Sequence, residues 1–156
     1  MKSDVVHSLL ATFESHAQQA DGGVEYWLAR DLQFLLGYTE WRNFTAVVAK
    51  AKAACETSAR VVGSHFVDVN KMVDPGSGSC RSIDDMMLTR YACYLVAQNG
   101  DPKKQEIAFA QTYFAVQTRR AELIEQRLLE AERLSARRKL TATEKELSQV
   151  IYEQTE

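Results

Sequence analysis

Cysteine is scarce in this chain: 156 residues hold three, Cys55, Cys80 and Cys93. An odd number at wide spacing gives no disulfide framework and fits reduced thiols in a cytosol. None stands in a C-x-x-C pair, and with His65 they make no zinc-ligand spacing, so neither a metal nor any other cofactor is expected. No apolar run approaches the roughly 20 residues of a membrane-spanning helix, which excludes that mode of membrane contact. The opening MKSDVVHSLLATFESH has an acid and histidines within or beside its apolar patches and lacks a small-residue cleavage site, so it does not read as a signal peptide. A soluble, cytoplasmic protein is expected.

An excess of one charge is also missing. The net charge is −2, so no global basic pull draws the chain to nucleic acid. The distribution is uneven, however. Lys103 to Lys139 carries nine basic residues against five acids, and the rest carries ten against sixteen. Screening limits each charge to about 10 Å, so a local basic surface can bind phosphate on an acidic chain.

Signs of catalysis are equally thin. Asp84 and Asp85 are adjacent, and in a strand they point to opposite faces. The Gly-Ser turn near Gly76 lacks the Lys and Ser/Thr that follow a phosphate-cradling loop. His7, His16 and His65 have no nucleophile motif beside them. The chain is therefore expected not to be an enzyme.

Hydrophobic periodicity predicts an α+β protein, mainly helical, with a small antiparallel hairpin and a long helical C-terminal arm. Asp4 to Ala20 reads as an amphipathic helix ended by Asp21-Gly22-Gly23, and Val24 to Leu28 as a short strand. Ala29 to Leu36 reads as a short helix stopped by Gly37. Thr39 then offers an N-cap for a helix whose Trp41, Phe44, Val48, Ala51 and Cys55 form one buried stripe. His65 to Val73 and Arg81 to Leu88 read as a hairpin around the turn from Asp74 to Ser79. Thr89 caps a helix through Gln98, and Asp101-Pro102 starts the next. Residues 1–101 are expected to form the α+β domain and 102–156 the arm. The arm's long helix is predicted from Pro102 to about Arg138. Thr141 or Thr143, each with Glu three residues on, is predicted to cap a last helix to Tyr152. The apolar stripe of Ala121, Ile124, Leu128 and Ala131 needs cover, which a folded-back last helix, a two-fold dimer or both together supply.

Candidate binding residues follow from this layout. The short helix, glycine turn and longer helix suit either an ordinary helical hairpin or a helix-turn-helix variant with Arg42, Asn43 and Lys50 toward DNA. Arg81 and Arg90 come from a strand and a helix start that the topology can bring together, and both suit phosphate. Lys103 and Lys104 read as solvated charges. Tyr91 and Tyr94 can stack on exposed bases, although beside Leu95 they read more readily as core. Arg119 and Arg120 diverge by about 100° on a helix, so at least one is exposed or paired. Phosphate contact and a bridge to Glu122, Glu125 or an acid on another chain are equally open.

The words RYACYL, QNGDP, AFAQTYF and AVQTRR follow one another between Arg90 and Arg120, with LLGY at Leu35 to Tyr38 upstream. In that order they closely resemble the DNA-damage-inducible protein D family of bacteria, whose N-terminal part is similar to the Bro-N domain of phage and viral DNA-binding proteins. The resemblance runs from about Glu25 to Gln126, and the family's proteins commonly continue well past the end of this chain. It implies a Bro-N-like domain and a non-enzymatic, nucleoid-associated role in the damage response. DNA, single- or double-stranded, is the implied partner, with recombination or repair modulated; the homodimer through the arm is expected from its apolar stripe alone. The alternative is a protein-interaction module that regulates a recombination or repair protein without touching DNA.

Overall fold

The structure, a computed structural model, describes residues 3–76 and 78–154; Ser77 of the expected turn lies outside the described residues. In chain order the elements are α1 (Ser3–Ser15), β1 (Gln18–Gln19), β2 (Glu25–Leu28), α2 (Ala29–Leu35), α3 (Trp41–Thr57), β3 (Phe66–Val73), β4 (Arg81–Leu88), α4 (Arg90–Gln98) and α5 (Gln105–Gln154), with a 3-10 turn at Val62–Ser64. They divide into two units, Met1–Phe114 and Ala115–Glu156. No described helix is long and apolar enough to cross a membrane.

In the first unit a four-stranded antiparallel sheet runs β1-β2-β4-β3. Alternation decides its faces. Phe66 and Leu88, opposite one another, are buried, while the outer parts of β3 and β4 are exposed on both sides. Trp27 of β2 is fully buried; it stacks on Phe13 at 4.5 Å and donates its indole N–H to the Phe13 carbonyl at 2.8 Å. That contact holds α1 on the sheet. Phe44, Val48, Ala51 and Cys55 of α3 are buried as their spacing predicts, joined by Val47, with Trp41 half-buried under Arg30 at 3.8 Å.

Several boundaries differ from expectation. The first helix ends at Ser15 rather than Ala20, because Gln18 and Gln19 leave to pair with Tyr26 and Glu25 as β1, a strand too short to show a pattern. Glu40, not Thr39, is the N-cap of α3, and it makes no side-chain capping bond. Thr89 caps α4 as expected, accepting from the Ala92 amide. Asp101 does not open α5 directly. Its carboxylate accepts the Lys103 amide at 3.0 Å and its carbonyl the Lys104 amide, making a turn that delays the helix to Gln105. The folded domain reaches beyond residue 101, since Ile107 is fully buried and Ala110 packs on the core.

The second unit corrects the arm. The expected break near Arg138 and the separate terminal helix do not form; α5 is continuous to Gln154. No Gly or Pro interrupts it. The hydroxyls of Thr141 and Thr143 donate back to the Arg137 and Lys139 carbonyls, each at 3.0 Å, instead of capping a new start. A folded-back partner for the apolar side chains is therefore not supplied within α5, and Leu123, Ile124, Leu128, Leu129, Leu134, Leu140 and Leu147 are all exposed.

Candidate nucleic-acid interface

The turn between α2 and α3 is built for rigidity. Gly37 takes φ 73°, a conformation that suits glycine, and its amide bonds to the Phe34 carbonyl. The buried Gln33 side chain donates to the Tyr38 and Thr39 carbonyls at 3.1 and 3.2 Å. Asp85, buried on β4, accepts from the Arg30 amide at 3.1 Å and so caps α2, where Leu28 has no side chain to do it. These bonds set the angle at which α3 leaves, and its buried stripe then decides which face is outside.

Arg42, Asn43 and Lys50 all fall on that outer face, within a wedge of about 100°, together with exposed Ala46, Ala49 and Ala53. Alanines leave the surface between the cations low, so a bulky backbone can approach closely. Among the described residues no acid lies within ion-pair distance of Arg42 or Lys50. At one side Lys52 sits over the Phe66 ring at 6.0 Å and Arg60 over Tyr91 at 4.7 Å, lining a shallow depression with Ala49, Ala53, Glu56 and Val62. Lys52, Arg60 and Tyr91 extend the basic face beyond what spacing shows.

The hairpin adds a second basic element. Arg81 is opposite Val73 and Lys71 opposite Ile83, so Lys71 and Arg81 are diagonal neighbours on one face of the strand pair. Asp68 and Asp84 lie on the other face. Phe66, on the face of Asp68 and Asp84, carries Lys52 of α3 on its ring, so the α3 surface meets the root of the hairpin on the face opposite Lys71 and Arg81. Lys71 was missed in the sequence, although it stands as the charged interruption of the two-residue apolar series Val67, Val69 and Val73 on its own face.

Arg90 is placed differently. Its guanidinium holds Glu14 through both terminal nitrogens, at 2.7 and 3.0 Å, and Glu25 at 3.0 Å, over the Trp27 ring at 4.9 Å. The hydrogen bonds from Arg90 hold the Glu14 carboxyl below its ordinary value, and the same pair pushes the Arg90 guanidinium still higher. It thus joins α1, β2 and α4, and its charge is already balanced. Tyr91 packs on His65 at 4.7 Å and Tyr94 on Phe114 at 4.0 Å, both half-buried. Lys104 donates to the Gly37 carbonyl at 2.9 Å, and Lys103 is exposed. Arg119 and Arg120 belong to the second unit; Arg119 bridges to Glu122 at 3.1 Å, while no ion pair engages Arg120 among the described residues.

Asp84 is exposed and Asp85 buried on opposite faces of β4, and burial pushes the Cys93 thiol up. An apolar cleft of about 60 Å³, lined by Leu9, Phe13, Leu35, Cys93, Phe109 and Tyr113 among others, has Glu106 as its one charged group. Among the described residues no three His, Cys, Asp or Glu stand together as metal ligands would.

The comparisons with known proteins agree with the motif order. The family described as BRO family, N-terminal domain, matches residues 16–115. The DNA damage-inducible protein D of Escherichia coli (strain K12) is 54% identical over 101 residues, covering 65% of this chain and 37% of that protein. The chain thus spans well under half the length of that relative. No solved structure matches. A family match that takes in the sheet, α2 to α4, the exposed α3 face and the first turns of α5 leads to one conclusion: the chain belongs to the BRO family, N-terminal domain.

Proposed function

We propose that this chain is a non-enzymatic, DNA-associated module of the damage response, cytoplasmic and nucleoid-associated, that grips phosphates and thereby modulates recombination or repair. The observation that carries it is the outer face of α3: Arg42, Asn43 and Lys50 exposed around three small alanines, with no acid in bridging distance among the described residues. Cations left unbalanced on a rigid helix are suited to phosphate, and Lys71 and Arg81 on the hairpin supply a second point of contact. The damage-response part is supported by the 54% identity to a protein named as DNA damage-inducible. Few base-reading side chains lie on this surface, Asn43 being the clearest, so binding with little sequence preference follows.

Titration of labelled duplex and single-stranded DNA at rising salt tests this. Binding should fall steeply, with a log–log slope of about −0.9 per phosphate contact on duplex or about −0.7 on single strands. No binding of either form at low salt would remove direct DNA contact. A second reading, a protein-interaction module for a recombination or repair protein, is favoured by the apolar side chains exposed along α5 and the net charge of −2. Unchanged DNA behaviour after removal of the α3 cations would support it.

A further inference from the structure

We propose that residues 129–150 of α5 pair with the same segment of a second copy as a parallel, in-register, two-stranded coiled coil. Steps of four and three residues place Leu129, Arg133, Ala136, Leu140, Thr143, Leu147 and Val150 on one face of the helix. In heptad lettering Arg133, Leu140 and Leu147 are a positions, and Leu129, Ala136, Thr143 and Val150 are d. Four of the seven are large and apolar, and these are 46 to 62% exposed. Upstream the same register brings Arg119, Glu122 and Gln126 to the seam, so the seam starts at Leu129. The stripe expected to dimerise, with Ile124 and Leu128 as its only large members, lies elsewhere around the helix, Ile124 about 140° from Leu129.

The flanking charges identify the occupant. In a parallel pair a g residue faces the e residue five positions further along the other chain. Here Glu132 meets the second copy's Arg137, and Lys139 meets its Glu144, each pair occurring twice. Within one helix these charges have no use for each other, since only residues three or four apart are neighbours. None of the four has an opposite charge at those spacings, and among the described residues no ion pair engages any of them. Arg137 even has Arg133 four residues before it. Four charges idle within the helix become two complementary sets across a two-fold axis. Arg133 at an a position adds a polar layer, which favours one register at some cost in stability. This pairing is independent of DNA contact, because residues 129–150 lie beyond the α3 and hairpin surfaces in sequence and in unit.

Solution mass of the full chain against concentration should show a dimer. Lys139→Glu replaces two attractions by repulsions and should weaken dimerisation about tenfold. Adding Glu144→Lys should restore it, because the exchanged pair is complementary only between copies. In a Cys80→Ser background, which removes the exposed native thiol, Val150→Cys should give a disulfide-linked dimer on mild oxidation. A monomer up to about 100 µM, far above a μM-class affinity, overturns the proposal. So does a Lys139→Glu/Glu144→Lys variant no tighter than Lys139→Glu. A dimer that fails to cross-link through Val150→Cys has its strands antiparallel, and that also overturns it.

Discussion

Arg90 and Glu14 form a two-pronged ion pair, 2.7 and 3.0 Å between α4 and α1, and the same guanidinium reaches Glu25 at 3.0 Å. Side-chain exposures of 36% and 48% let water screen the pair. With the Trp27 ring beneath it, Arg90→Ala is expected to cost about 1 kcal/mol. The sign of its pH dependence follows from Glu14, whose folded value lies below the ordinary 4.5. The stabilisation is present above pH 4.5 and is lost as pH falls through the folded value. Urea melts of wild type and Arg90→Ala should differ at pH 7 and converge in acid. DNA affinity should be unchanged in this variant, since its charge is already balanced.

Ala59 is the one described non-glycine residue at positive φ, 59°, just after α3. The turn it makes is bonded as a helix stop, with the Ala59 amide to the Glu56 carbonyl and the Arg60 amide to that of Cys55. Glycine adopts this conformation without the Cβ penalty, so Ala59→Gly should stabilise the domain by about 1 kcal/mol. A lower thermal midpoint would contradict this.

Gly100 closes α4 where a Cβ would lie 2.5 Å from Cδ1 of Ile107, which is fully buried. The Ile107 side chain must then shift within the core to admit it. Gly100→Ala should therefore destabilise by about 1–3 kcal/mol, the range for overpacked cores. A thermal melt within error of wild type would show that the site relaxes.

Elements carried by local pattern were legible in the chain: the buried stripe of α3, the β3–β4 hairpin and the Thr89 cap. The exposed placement of Arg42, Asn43 and Lys50 followed from the same stripe. Long-range pairings were not legible. Nothing near Arg90 in sequence points to Glu14, 76 residues away, so its affinity for carboxylate was open to being taken for affinity to phosphate. Arg60 and Tyr91 meet only through the tertiary fold. At Thr141 and Thr143 the local signal was ambiguous, because the same hydroxyl can cap a new helix or bond back within an existing one. Without a Gly or Pro to stop α5, the second outcome prevails.

Phosphate binding by the α3 face is tested most directly by duplex DNA affinity measured across salt for wild type and for Arg42→Ala/Lys50→Ala. Both positions are exposed and outside the core, so the fold should survive. The double variant should bind more weakly, and its log–log salt slope should be shallower by about 2, one unit per lost phosphate contact. An affinity and slope equal to those of wild type would contradict it.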